Sequence, residues 1–418
     1  MALLKNLAAQ ALRLADARLA VEQALQAAPL SGPVRILAIG KAALPMWQGA
    51  DVLLGSQVRA GLLIAPAPAG SAAPVPTSTC RYPLQCLTGA HPLPDARSLA
   101  AGAAAQQFVA ACAPDESLLV LLSGGASALC EVLPEGISLA ELQALQQRML
   151  ASAWPINAIN AVRQRLSRIK AGGLLRCCPA GVAVRQLLLS DVPGDDPAVI
   201  GSAPFVPVAL PLPAWHTLPA PWPERLQRWL AAPEPAVNTT LANVTSTIIA
   251  SNAQVRAGLQ HWAEARDLAV VSNRAIAGEI GVVASALAAE IASGPAGLYL
   301  YGGETHLQLP AQPGRGGRNQ HLALLLQQAL TAADIANACS VLTLATDGVD
   351  GCSDAAGALF QCGARAVAAT ADAAAALGTA SSYDYWRQQG GLLVTGATGS
   401  NVADLVLCWK SGYRVASR

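Results

Sequence analysis

Short apolar runs alternate with longer Ala- and Leu-rich stretches of helical period along this chain. Nine runs read as strands: 34–39 (VRILAI), 61–65, 118–122 (LLVLL), 184–190, 246–251, 268–272, 298–301, 341–345 and 392–396. Helical segments fall between most of them, and strand–helix alternation predicts largely parallel sheet covered on both faces. The stretch NAINAVRQRLSRIKAGGLL reads as one helix closed by Gly172-Gly173, with Ile159, Val162, Leu166 and Ile169 as its buried stripe. A polar stripe of Asn160, Arg163, Ser167 and Lys170 runs beside it, either a solvated flank or the lining of an anionic cleft. A long helix is expected from about Asn319. The Pro- and Trp-rich stretch Ala203–Glu234, with one short internal helix at ERLQRWL, is the best candidate for a domain boundary.

Ligands of such sheets collect at the carboxyl ends of the strands, and the same residue types recur there. The tips carry Gly40-Lys41, Ser123-Gly124-Gly125-Ala126-Ser127, Asp191, Ser251-Asn252, Gly302-Gly303-Glu304, Thr346-Asp347 and a final glycine, hydroxyl and amide group. Chance supplies one or two polar tips, rarely seven.

Composition narrows the field. At 418 residues the chain calls for two domains or three. The apolar fraction is 53% with only 4% aromatics, as in a helix-rich globular enzyme. With 27 basic and 26 acidic residues there is no excess of charge to attract a nucleic acid backbone. Asp16, Arg18 and Glu22 interrupt the first helical repeat, which argues against a signal peptide, and prolines break both long uncharged stretches, which argues against a membrane span. Ten scattered cysteines without a C-x-x-C pair read as buried thiols, so a cytoplasmic location is expected.

Each tip then has a chemistry and a plainer alternative. LLSGGASAL is a strand, a glycine turn and a helix start, where backbone N–H groups, the helix dipole and two serine hydroxyls bind phosphate, or simply a tight capped turn. It is not a Walker loop, and no G-x-G-x-x-G with a following acid marks a dinucleotide site. Lys41 beside a helix start opposes the dipole unless an anion compensates; otherwise it snorkels to water. Asp191 and Asp347, directly after their strands, suit Mg²⁺ or a general base, whereas Asp195, Asp196 and Asp354 suit turns. In PGRGGRNQH, Arg315 and Arg318 sit just ahead of a helix whose free N–H groups already favour an anion, and arginine adds a two-pronged grip. The five histidines show no metal-ligand spacing, and His91 reads as structural or substrate-facing.

Taken in order, GKAA, HPLPD, LLSGGASAL, SDVPGDDPAVIGSAP, GGETHLQL, GRGGRNQ, TDGVDGCSDAAGA and TGATGSNVADL resemble the glycerate 2-kinases with a C-terminal MOFRL domain, from Gly40 to Asp404. The resemblance implies two α/β domains, a Rossmann-like, doubly wound one over 1–235 and a C-terminal one over 236–418. The MOFRL region would lie at about 295–405, with the active site in the cleft between the domains. It implies transfer of the ATP γ-phosphoryl group to the 2-hydroxyl of D-glycerate, with Mg²⁺ as cofactor, a homodimer allowed, and neither nucleic acid nor membrane as partner. Its cleft lysine falls on Lys41 and its cleft arginine on Arg318, with Asp191 completing the catalytic set. Ser123, Gly124, Gly125, Ser127, Asn252, Glu304 and Asp347 are the expected nucleotide contacts, and Asp191 with Asp347 the metal ligands. Ala126 and Ala203 stand where the family pattern has glycine, Phe205 where it has threonine, and His321 where it has glutamate. Two other readings are an NAD(P)H-dependent hydroxypyruvate reductase, tested by NADH oxidation, and a non-catalytic sugar-acid-binding protein, tested by ADP release.

Overall fold

A computed structural model describes residues 1–67, 81–151, 156–208, 222–230, 243–333, 337–362 and 371–414. The chain divides into two compact units, one of Ala17–Ile249 and one of Met1–Asp16 with Ala250–Arg418. The Pro- and Trp-rich stretch lies largely outside the described residues; its inner helix is Trp222–Leu230.

The first unit is built on a six-stranded sheet: β1 (Val34–Ile39), β2 (Val58–Pro66), β3 (Leu84–Gly89), β4 (Ser117–Leu122), β5 (Ala183–Ser190) and β6 (Val244–Ser251). Their order is β3-β2-β1-β4-β5-β6, and β3, β2, β1, β4 and β5 pair in parallel. The runs LLVLL and ILAI are buried on both faces, as an apolar strand in a parallel sheet must be. The order reverses between β1 and β4, so the crevice of a doubly wound sheet opens where Gly40-Lys41 and Ser123–Ser127 emerge. β3 gave no clear apolar run in the sequence and is only half-buried at the edge.

The second unit holds β7 (Val270–Glu279), β8 (Gly297–His306), β9 (Asn337–Ala345), β10 (Gly357–Cys362), β11 (Leu392–Leu393) and β12 (Asp404–Arg414). They run β11-β10-β9-β12-β8-β7. This sheet is mixed. Only β7 and β8 are parallel, while β12 is antiparallel to both β8 and β9. The predominantly parallel expectation therefore fails here, because β12 inserts between strands that alternation alone would have made neighbours. The run at 392–396 forms two residues of strand rather than five. Buried Lys410 in β12 donates to the carbonyls of Ile291, Ala292 and Gly294 and so satisfies the end of the helix Ile280–Ser293.

Two helix expectations change. The N-terminal repeat breaks into helices Ala2–Leu14 and Ala17–Ala27. The helix expected to run through NAINAVRQRLSRIKAGGLL ends at Arg165 (Ile156–Arg165), and a separate short helix, Gly173–Cys177, follows with Gly172 in the left-handed region as its N-cap. The break has a buried cause. Ser167 Oγ donates to Glu131 Oε1 at 2.5 Å, Lys170 Nζ donates to Glu131 Oε2, and the Arg168 N–H donates to the Val132 carbonyl. Lys170 and Glu131 side chains are 2% and 1% exposed. A buried charge must be paired, and pairing it overrides helical propensity. Among the described residues no helix is long and apolar enough to cross a membrane, and none of the described cysteines is in a disulfide.

Removing one partner of this pair strands the other. Glu131→Gln is expected to destabilise the fold by about 3–5 kcal/mol, while the double change Glu131→Gln with Lys170→Met recovers most of that loss in denaturant titration. Ala203, at φ 58°, occupies a left-handed position that glycine adopts freely. Ala203→Gly should stabilise by about 0.5–1 kcal/mol, seen as a higher melting temperature.

Candidate active site

In the first unit the β1 and β4 tips are laced together. The Ser123 N–H donates to the Ile39 carbonyl at 3.0 Å, and the Lys41 N–H donates to the Gly124 carbonyl at 2.9 Å. The Ala42 N–H donates to Ser123 Oγ at 3.0 Å. Gly40, at φ 134°, permits this closeness, since a Cβ there would overlap Ser123. Ser123 is buried, so its hydroxyl braces the lysine loop. Ser127 Oγ shares a 2.8 Å hydrogen bond with Ser202 Oγ. The helix expected behind the turn is one turn long, Ala126–Leu129, so its dipole adds little and the turn's N–H groups are the main anion donors.

Around this turn the structure gathers Asp191, Lys41 and His91. The Asp191 carboxylate packs so closely on Gly124 that a Cβ at that position would overlap it. A methyl group at Gly125 would lie 3.2 Å from His91 Cδ2 and 3.2 Å from Lys41 Cγ. The Lys41 and His91 side chains reach the surface. Desolvation by the surrounding protein, then the charges of Lys41 and Arg163, push the His91 imidazole down to about 4, so it is neutral at physiological pH. His91 is thus part of this constellation rather than a remote turn residue. The rigid HPLPD bracket was the available signal.

In the second unit Arg318 opens the helix Arg318–Ala332. It donates through Nε to Asp404 Oδ2 at 2.5 Å and through Nη2 to Glu304 Oε1 at 2.7 Å. Burial opposes its charge, but Asp404 and then Glu304 outweigh that and raise its pKa. Asp404 is buried, which lifts its carboxyl to about 6 even though Arg318 and Asn319 stabilise the anion. Glu304, expected against the nucleotide, is therefore a partner of Arg318. Asn252, also expected there, donates its amide to the carbonyls of Val402 and Asp404 at 3.0 Å each and accepts from Arg256. It anchors the start of β12, where Asp404 sits.

The N–H groups at this helix start were expected to await an anion. They already have one: Asn319 N and Gln320 N donate to Asp350 at 3.0 and 2.8 Å. Asp350 is buried, which raises its pKa, while these N–H groups stabilise its charged form. Asp347, the neighbouring candidate, accepts through Oδ1 from the Val349 N–H and is half-buried. Arg315 turns away, pairing with Asp354 at 3.1 Å and stacking 3.8 Å above the Tyr383 ring. His321 is buried with Nδ1 unpartnered among the described residues, and burial lowers its pKa. Sequence reasoning singled out neither Asp404 nor Asp350, because nothing in the linear order says which acid folds back onto Arg318 or its helix.

This arrangement has close relatives. Residues 3–214 match the domain of unknown function DUF4147, and residues 297–404 match the MOFRL family. The chain is 35% identical to an Agrobacterium vitis protein provisionally named hydroxypyruvate reductase, over 77% of this chain and 87% of that one. It is 31% identical to a D-glycerate 2-kinase of Thermotoga maritima over 90% of each. A crystal structure of glycerate kinase from Thermotoga maritima superposes with a TM-score of 0.78 at 26% identity, covering 97% of this chain and 98% of that one. A doubly wound sheet with a lysine and a glycine turn at its switch point, a separate mixed sheet carrying the clamped arginine, and these matches lead to one conclusion: the chain belongs to the glycerate 2-kinase family, with a DUF4147 region followed by a MOFRL region.

Proposed function

We propose that this protein is an ATP-dependent glycerate kinase, a phosphotransferase acting on an alcohol group, which moves the γ-phosphoryl group to the 2-hydroxyl of D-glycerate and yields 2-phosphoglycerate. The observation that carries the reading is the β1–β4 switch point, where Lys41, His91 and Asp191 surround a glycine turn. Phosphoryl transfer asks for positioning and charge neutralisation rather than covalent participation by the protein. Lys41 is the cation proposed for this task at the glycine turn of the first unit, and Arg318 the cation proposed in the second, kept charged and oriented by Asp404 and Glu304. The Ser123–Ser127 turn holds nucleotide phosphates through its N–H groups. Asp191 takes the proton of the attacking hydroxyl or holds the metal, and Asp347 is the second metal ligand.

Mg²⁺ accepts one or two carboxylates and completes its shell with nucleotide oxygens and water. Asp191, at the β5 tip, and Asp347, after β9, are each a carboxylate of the kind that ion accepts. Mg²⁺ bound there with the nucleotide would supply further neutralisation of phosphate charge. A cytoplasmic location belongs to the same proposal, which allows a homodimer.

The provisional name of the Agrobacterium relative favours a second reading, reduction of hydroxypyruvate. The loop after β1 reads IGKAA rather than the dinucleotide pattern, which counts against it. Coupled assays separate the two: ADP release with D-glycerate and no NADH oxidation with hydroxypyruvate are expected, and the reverse pattern overturns the kinase reading.

Arg318→Ala should lower kcat/KM by roughly 100-fold or more, equivalent to about 3 kcal/mol of transition-state stabilisation; a change within a few-fold removes Arg318 from the mechanism. The Asp404 carboxyl loses its proton as pH rises through about 6, and only the anion, facing Arg318, Asn319 and Asp350, grips the arginine. Activity should therefore fall as pH drops below about 6. Asp404→Asn should be less active and should lack that acid limb in a kcat/KM profile.

A further inference from the structure

We infer that Arg163 is the carboxylate-binding side chain of the substrate pocket in the Ala17–Ile249 unit, with Lys41 beside it; the inference rests on the glycerate kinase reading and names the group that recognises the acid end of the substrate. The polar stripe Asn160, Arg163, Ser167 and Lys170 is split by the fold. Ser167 and Lys170 are consumed by Glu131, whose Oε1 also accepts the Val132 N–H at 3.0 Å. Both Glu131 oxygens thus have partners, and Glu131 acts on Arg163 only as a longer-range charge. Arg163 is left with a buried Nε that has no hydrogen-bond partner, and among the described residues no acid pairs with its guanidinium. A desolvated guanidinium N–H without a partner is unfavourable, so the site is poised for an anion.

Its position is fixed rather than swept by solvent. Ile159, Val162 and Leu166 of the same helical stretch sit in a small core with Leu145, Met149 and Leu226. The adjacent Gln164 donates to the Ala198 carbonyl at 3.1 Å, tying this helix to the loop that follows β5. Arg163 and Lys41 both act on His91, and His91 and Lys41 meet over Gly125. The charges of two cations thus act on a neutral imidazole at the glycine turn. The phosphates of a nucleotide are served by the N–H groups of that turn. A planar guanidinium held on a helix matches a planar carboxylate, which it grips with two parallel hydrogen bonds.

The test uses the full-length protein, with D-glycerate and with glycerol, which lacks the carboxylate, as phosphoryl acceptors, and calorimetric titration with MgATP and with D-glycerate. Arg163→Met should raise the D-glycerate KM and Kd about 30-fold or more, the loss of a charge-assisted pair. It should leave MgATP affinity and the weak turnover of glycerol within two-fold, so the preference for the acid collapses. Arg163→Lys, which keeps the charge without the fork, should lose most of the same preference and decides the matter if the methionine variant does not fold. Unchanged D-glycerate affinity in a variant that still binds MgATP overturns the assignment, as does an equal loss of MgATP affinity, which would make Arg163 a phosphate ligand. A wild-type protein that binds MgATP yet releases no ADP with D-glycerate overturns the kinase reading itself, and this inference with it.

Discussion

An ionised group withdrawn from water must be surrounded by partners, and in this protein the places where that happens decide where the reactive side chains stand. In the first unit Glu131 collects Lys170, Ser167 and the Val132 N–H; in the second, Asp404 and Asp350 collect Arg318 and the opening N–H groups of its helix. Each acid is almost wholly buried. Neither arrangement tolerates the loss of a single member, because what remains is an uncompensated charge in a medium that screens it poorly. The helices that carry Arg163 and Arg318 are located by these contacts more than by propensity.

The same economy explains why so few of the charged groups remain for a ligand. Lys170 and Arg315 looked like candidates by position, but one is sealed on Glu131 and the other lies between Asp354 and the Tyr383 ring. Glu304 and Asn252 stand at strand tips yet serve Arg318 and the start of β12. Tips of a sheet are where ligands bind, and they are also where the supporting shell for the binding groups must be built. A residue at a tip can belong to either layer.

Close backbone approach is the second constraint. The β1 and β4 loops touch because Gly40 has no side chain, and Asp191 lies on the turn because Gly124 has none. With the loops this near, Lys41 and His91 share the space over Gly125, and desolvation, helped by the neighbouring charges, keeps His91 neutral. A glycine turn of this kind presents N–H groups without a long helix behind it, so charge neutralisation passes to the side chains around it.

The alternation of apolar runs and amphipathic stretches was enough to reveal an α/β chain, because burial on both faces leaves a mark in every parallel strand. The motifs at the strand ends singled out Lys41 and Asp191 as candidates, and the glycine–arginine stretch singled out Arg318, since glycine, hydroxyl and charge are rare next to such apolar runs. Edge strand β3, the two-residue β11 and the insertion of β12 between β8 and β9 were not legible, because half-burial and antiparallel pairing depend on distant neighbours. Nor could the linear order show that the polar stripe after Asn160 would break at Arg165, or that the distant Asp404 would join Glu304 in holding Arg318. Local pattern records which surfaces must leave water. Which charges then face one another is settled only when the chain closes, because a buried ion's partner is chosen by proximity in space and not along the sequence.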